Sequence, residues 1–354
     1  MRNTVVAAVG AVWVAGCGET YSGRLVDEDG RPVTGWTCSA SVNCRNVSYP
    51  GGISGELHTF DCYVGSDGRF IVSVPDDLCD TAGVLIGLAN PDQPGQGIGV
   101  YVSPPIRSMI LPDLHVWSPA VTVTPGADAV AVAWTPVVAS TGLEVSYSLL
   151  AAGLGSRTST DGVGMSLDRR LLQDWTFNGF LSALGYDEAA GIFVTWNDAS
   201  PVTLAGERTP LSRGGACSAI GEGVRVDFAP GECPVTSGSV GDAIDATMVA
   251  PGIDEIVVDL GAVTSFGGVT LHGAFGGGDF GDLPYLSGAG GGGTPATGAV
   301  EVEGSDDCVS FSPIAAVSPS GAIANDPIAA PGSARCVRLR FGGTVSSLDE
   351  VGVW

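Results

Sequence analysis

The chain of 354 residues contains no lysine. Fifteen arginines stand against 38 Asp and Glu, for a formal net charge of −23. An acidic exterior of this kind repels phosphate backbones and anionic headgroups. It excludes nucleic acid as a partner and a polybasic patch as a membrane anchor. Histidine is scarce as well: His58, His115 and His272 fall in three separate stretches. Neither H-E-x-x-H nor G-x-S-x-G occurs, which excludes the zincin and nucleophile-elbow sets, and no catalytic residue is assigned. No apolar run reaches membrane-spanning length. Thr4 to Gly16 is uncharged but short of the roughly 20 residues that a spanning helix needs. Sustained 3.6-residue stripes are missing too. The best helical candidate is "SLDRRLLQDW" (166–175), where Leu167, Leu171 and Leu172 share a face, enough for one short helix. Cysteine, finally, is absent between 80 and 216.

What is present is Gly (54 residues) and alternation of period two, broken by Gly, Pro, Asp and Asn. That pattern belongs to short strands and turns, and the expected fold class is all-β. The run that ends in "AVWVAGCGE" has the length of a secretory h-region, with Arg2 before it. Val14, Ala15 and Gly16 before Cys17 resemble a bacterial lipobox. The resemblance implies cleavage after Gly16 and lipidation of Cys17, so that 1–16 is a signal peptide and the acyl chains anchor the mature protein.

With Cys17 set aside, four cysteines lie early (Cys38, Cys44, Cys62, Cys79) and four late (Cys217, Cys233, Cys308, Cys336). Even numbers in an exported chain read as two disulfides per cluster, with the pairing open. A four-thiolate zinc site would show C-x2-4-C pairs. The spacings here are wider.

Three blocks follow. In 17–117, "YSGRLVDEDGRPVTG" leads through an Asp-Glu-Asp-Gly turn into a second strand after Pro32. "GSDGRFIVSVP" then alternates, with Phe70, Val72 and Val74 on one face and Ile71 and Ser73 on the other. These stretches resemble the carboxypeptidase regulatory-like (transthyretin-like) domain, a sandwich that serves as a spacer. In 118–204, Val130, Val132 and Trp134 alternate before "LEVSYSLL", and "GIFVTWND" puts Ile192, Val194 and Trp196 on one face. The W-T-P strand end followed by a Tyr-bearing strand resembles a fibronectin type III domain. A polar Gly- and Pro-containing linker spans 205–216. In 217–354, "IDEIVVDLG", "GGVTLHG", "GAVEVEGSDD", "SARCVRLRF" and "SLDEVGVW" come in order. Together they resemble the F5/8 type C (discoidin, galactose-binding-like) domain, a jelly roll whose end loops hold a ligand. The expected architecture is therefore three consecutive β-sandwiches: transthyretin-like, immunoglobulin/fibronectin-like and jelly-roll.

The last resemblance implies a structural Ca²⁺ between an early D-G-x-x-x-T loop and a late Glu. Glu350 is the late partner. In "TSGSVGDAIDAT" Ser237 stands where the pattern has Asp, leaving Asp242, Asp245 and Thr247 as oxygen donors. The Gly-rich stretch 273–298 reads as an insertion, with Phe275, Phe280 and Tyr285 available to stack on a sugar face.

The function expected from these features is non-enzymatic. It is a lipid-anchored, extracytoplasmic binding protein at the bacterial outer membrane or cell surface, with the jelly roll presenting a ligand site for which carbohydrate is the expected class. The competing expectation is a structural or assembly component of the cell envelope that binds a protein partner and no glycan. Cys17→Ser is expected to move the protein from the membrane to the soluble fraction on ultracentrifugation. A variant that still sediments with membranes would mean another segment does the anchoring.

Overall fold

The computed structural model describes residues 18–45, 55–75, 83–103, 107–139, 142–151, 155–159, 162–198, 200–239, 244–245, 248–249, 252–272, 299–317, 327–345 and 347–354. The chain begins with β1 (Gly18–Val26), β2 (Thr37–Arg45), β3 (Gly55–Val64), β4 (Arg69–Pro75), β5 (Val84–Ala89), β6 (Gly97–Val102) and β7 (Met109–His115). It continues through β8 (Val121–Pro125), β9 (Ala129–Trp134), β10 (Glu144–Ala151), β11 (Gly155–Ser159), β12 (Gly164–Asp168), α1 (Arg169–Leu172), β13 (Thr176–Asp187), β14 (Ile192–Asn197) and β15 (Val202–Ala205). It ends with β16 (Ala216–Gly221), β17 (Val224–Phe228), β18 (Ile244–Asp245), β19 (Ile253–His272), β20 (Val300–Ser305), β21 (Ser312–Val317), β22 (Ile328–Val345), β23 (Ser347–Leu348) and β24 (Glu350–Val353). The fold is all-β, as the alternation predicts.

By compactness the chain divides in two. Unit 1 holds 1–119, 136–146 and 182–199; unit 2 holds 120–135, 147–181 and 200–354.

In unit 1 the sheet runs from the end of β13 through β14, β6, β5, β2, β3, β4 and β1 to β7, with β1 and β7 parallel. β4 alternates as expected. Phe70, Val72 and Val74 are fully buried, and Ile71 and Ser73 face out. Burying each of those three side chains contributes about 1.5–3 kcal/mol. The Asp27–Gly30 turn forms because the Asp27 carboxylate accepts from the backbone N–H of Asp29 (3.0 Å) and Arg31 (2.7 Å). The strand expected after Pro32 is reduced to one bridge, Val26 to Pro32. A proline has no N–H to extend a ladder. Gly68 closes the next turn at φ +75°, and a Cβ there would stand 2.4 Å from the Leu25 carbonyl oxygen.

The strand 192–197, placed by its sequence in the second block, pairs instead with β6 of unit 1, from Ile192 opposite Val102 to Asn197 opposite Gly97. The reason is phase. Ile192, Val194 and Trp196 face the same way as Val102, Val100 and Ile98, so one buried face continues across both strands. Gly99 leaves room for the Thr195 hydroxyl, and Trp196 Nε1 donates to the His115 carbonyl at 3.0 Å.

Unit 2 contains the small sheet β12–β9–β8, the pair β10–β11 and the pairing of β13 with β15. The expected helix at 166–175 shrinks to one turn. Asp168 caps it, accepting from Arg170 N, and Gln173 ends it at φ 51°. Leu171 and Leu172 are buried as predicted. The remainder is an antiparallel sheet in the order β17–β16–β19–β22–β20–β21, with β24 beside β19 and a short β18–β23 pair. β19 and β22 are long and bent. The first half of β19 pairs with β16 and the second half with β24, and the register against β22 shifts between Asp259 and Thr264. Gly261, at φ +80°, lies at that bend. Val337, Leu339 and Phe341 enter the core with Ile256, Val258, Val302 and Val351, while Arg338 and Arg340 face away. No helix among the described residues is long and apolar enough to cross a membrane.

The inward and outward sides of β4 make a direct test. Phe70→Ala is expected to lower stability by about 3–5 kcal/mol, and Ile71→Ser to change it by less than about 0.5 kcal/mol, both read by urea unfolding. Equal effects would mean that β4 does not have one buried face.

Candidate functional site

A concavity of about 550 Å³ lies on the outer surface of the unit 2 sheet. Its floor is the β16–β17 hairpin with Val257 and Asp259 of β19 and Arg338 of β22. One wall is the loop between β20 and β21, with Cys308, Val309 and Phe311. Two disulfides hold the frame. Cys217–Cys233 ties β16 to the turn before Pro234, and Cys308–Cys336 pins the wall loop to β22. The loop is also organised from within. The Asp307 carboxylate accepts from the backbone N–H of Val309 (2.9 Å) and Ser310 (2.7 Å) and from the Ser305 hydroxyl (2.7 Å). Those bonds hold Asp307 far below the usual carboxylate range. A smaller concavity of about 410 Å³, lined by Ser305, Asp306, Ser312 and Ser333 among others, lies on the same loop.

The chemistry of the larger concavity is mixed. Ser218 Oγ donates to Asp227 Oδ1 at 2.5 Å, Arg225 Nε donates to the same oxygen at 2.8 Å, and Arg225 Nη2 reaches Ser218 Oγ at 2.8 Å. The Ser218 hydroxyl and then the Arg225 guanidinium keep the Asp227 carboxyl below its ordinary value. The Arg338 guanidinium lies 4.2 Å from the centre of the Phe311 ring, a cation–π contact, and bonds to Glu303. At the bend of β19, Asp259 takes two bonds from Arg335, at 3.0 and 2.7 Å, and these bonds depress its pKa. Phe311 is half-buried at the edge of this polar set, whereas Phe228 lies on the other face of β17 from Arg225 and Asp227 and packs against the core. The arrangement offers a ring face next to fixed donors and acceptors. The lowered pKa of Asp227 makes it a weak base toward the Ser218 hydroxyl.

These residues were not singled out from the sequence. Arg225 and Asp227 are two apart on one strand and so share a face, which "GVRVDF" does show. Placing Ser218 opposite Asp227 needs the β16–β17 register.

Of the cysteines, Cys38–Cys62 bridges facing positions of β2 and β3, and the two late pairs are those above. Cys17 and Cys79 lie outside the described residues, and of Cys44 only the backbone is described. Asp259 lies close to the sulfurs of Cys308 and Cys336. The disulfide consumes both thiolates and Arg335 holds the carboxylate, so no ligand set remains there. Of the calcium residues, Asp242 and Thr247 lie outside the described residues, as do Phe275, Phe280 and Tyr285, and Asp245 is described only as backbone in β18. Glu350 is fully buried and faces Gly238 N at 3.2 Å and Arg213 Nη1 at 3.6 Å. The histidines occupy separate strands. His115 Nδ1 is 3.0 Å from the Asp27 carbonyl, and His272 packs edge-on against Trp175.

No protein-family model matches the chain, and no curated protein does. Among solved structures the chain is similar to chitosan-binding module 1 of a chitosanase/glucanase from Paenibacillus sp. IK-5, at 17% identity over 42% of this chain and 99% of that one, with a TM-score of 0.29. It is also similar to the C-terminal domain of a chitobiase from Bacteroides fragilis (17% identity, 39% and 87% covered, TM-score 0.25). A third is the CpGH89CBM32-4 module of Clostridium perfringens, solved with GlcNAc-α-1,4-galactose (10% identity, 42% and 96% covered, TM-score 0.27). Likeness at this level transfers no ligand.

The carboxylates of the site yield a prediction with a sign. Asp227, Asp259 and Asp307 have folded pKa values below the ordinary value, so their stabilisation is present above about pH 4 and is lost as pH falls through the lowered values. Asp259→Asn is expected to lower the thermal midpoint at pH 6 and to flatten its fall between about pH 4 and pH 2. An unchanged acid limb would show that the Arg335 pair contributes nothing to acid sensitivity.

Proposed function

We propose that the chain is a lipid-anchored extracytoplasmic binding protein in which the concavity of unit 2 takes a carbohydrate. The observation that supports this ligand class is the pairing of a half-buried ring with a rigid polar set. A pyranose has an apolar C–H face and a fringe of hydroxyls. Phe311 matches the face, and Arg225, Asp227 and Ser218 match the fringe with both donors and acceptors. Because the polar groups already hold one another, ordering them costs a ligand little. The three disulfides among the described residues agree with an oxidising compartment outside the cytoplasm. Cys17 is the proposed lipidated residue, and residues 17–117 and 118–204 are proposed as spacer sandwiches that carry the site away from the bilayer.

A second reading, a structural component that binds a protein, is favoured by one feature of unit 1. Tyr63 (85% exposed), Ile71 (58%) and Ile110 (86%) lie in a single cross-strand row, with only Ser22 between the last two. Large apolar side chains aligned on an open sheet face suit a protein surface better than a sugar.

The two readings separate by experiment. The full chain, screened on a glycan array and followed by calorimetry, is expected to bind at least one glycan. Phe311→Ala is expected to weaken that binding about tenfold, which corresponds to about 1.4 kcal/mol, while Ile110→Ser leaves it unchanged. No glycan bound, or Phe311→Ala binding as wild type does, would overturn the carbohydrate reading.

A further inference from the structure

Glu350 places a carboxyl group at a position with no exposed surface. A buried carboxylate needs a cation or a proton. The resemblance of this segment to calcium-holding domains implies that a metal supplies the charge. Among the described residues, the surroundings of Glu350 do not fit that role.

Three observations bear on this. First, Arg213 Nη1 lies 3.6 Å from Glu350 Oε1, and the arginine side chain is itself largely buried. Second, Nη2 of that guanidinium is committed to other groups, while Nε has no hydrogen-bond partner. Nη2 donates to Gln173 Oε1 at 2.9 Å and to the Asp174 carboxylate at 2.5 Å, and the guanidinium carbon lies 5.7 Å from the centre of the Trp175 ring. Trp175 Nε1 in turn donates to the Gly238 carbonyl at 2.7 Å. Third, space has been made for the guanidinium. A Cβ on Gly238 would stand 1.4 Å from Arg213 Nη1, and Gly238 has φ +82°. Next to it, Ser237 stands where the calcium pattern has a carboxylate. A divalent ion prefers six to eight oxygens at 2.3–2.6 Å. At Glu350 it would meet a fixed positive charge and one carboxylate fewer.

We infer that the Arg213 guanidinium replaces the metal ion at Glu350. It acts as an internal cation that ties the turn after α1, the Ser237–Gly238 loop and β24 together, and makes unit 2 independent of calcium. The match is one of shape: a planar guanidinium with several donors reaches Glu350, Gln173 and Asp174 at once, and its charge is shared between the two carboxylates. The inference stands apart from the carbohydrate reading, because it concerns what holds the sandwich rather than what the sandwich binds.

The test uses the full chain. Thermal unfolding in EDTA and in millimolar CaCl₂ is expected to give midpoints within about 1 °C of each other, because a ligand that does not bind the native state cannot raise its midpoint. Arg213→Met is expected to lower the midpoint in both buffers by removing the guanidinium that faces Glu350 and Asp174. Arg213→Met combined with Glu350→Gln, which removes both charges, is expected to recover most of that loss. A calcium-dependent rise in wild type that Glu350→Gln abolishes would overturn the inference. So would a double variant no more stable than Arg213→Met, which would place the role of Arg213 in its packing on Trp175 rather than in its charge. If Arg213→Met does not fold, the calcium comparison on wild type and on Glu350→Gln decides by itself.

Discussion

The ion pair between Arg213 and Glu350 is the constraint on which unit 2 turns. Most of that unit is held by apolar side chains from β16, β19, β20, β22 and β24, a force that is strong but has no direction. Glu350 and Arg213 add direction. Glu350 is fully buried and faces both Arg213 and Gly238 N, so the segment at 213, the Ser237–Gly238 loop and β24 come together around it. The surrounding contacts repeat the same demand. Trp175 packs edge-on against His272, and His272 is the cross-strand partner of Glu350.

The candidate site sits on the outer surface of the sheet that this arrangement supports. Its groups are rigid for local reasons. Cys308–Cys336 pins the wall loop, Asp307 organises the chain within it, and Arg225 and Ser218 hold Asp227. Framework and site thus use different means. The interior uses burial and one ion pair, and the surface uses disulfides and short hydrogen bonds whose carboxylates titrate in acid.

Much of the fold was legible where alternation alone decides it. Phe70, Val72 and Val74, then Val130, Val132 and Trp134, then Val337, Leu339 and Phe341 all lie on the buried faces their spacing indicates. Period two states which face a residue takes and says nothing about which strand lies beside it. That is why 192–197 reads as a member of the second block yet pairs with β6. Leu167, Leu171 and Leu172 have helical spacing, yet only one turn forms before Gln173 takes a positive φ. The site was less legible still. Ser218, Arg225, Asp227 and Phe311 are ordinary residues in the sequence, and they meet only through strand register and a disulfide across 28 positions.

The sequence by itself determined the fold class, the faces of the strands, the acidic surface and the even clusters of cysteine. Each follows from local periodicity or from composition, which need no knowledge of distant partners. Tertiary structure alone decided the partner of β14, the pairing within the late cysteine cluster and the identity of the cation at Glu350. Arg213 and Glu350 are 137 positions apart, and nothing local distinguishes a solvated arginine from a buried counter-ion. Gly238 is the nearest thing to a signal, and its meaning appears only once the guanidinium is seen to occupy the space that a side chain would fill.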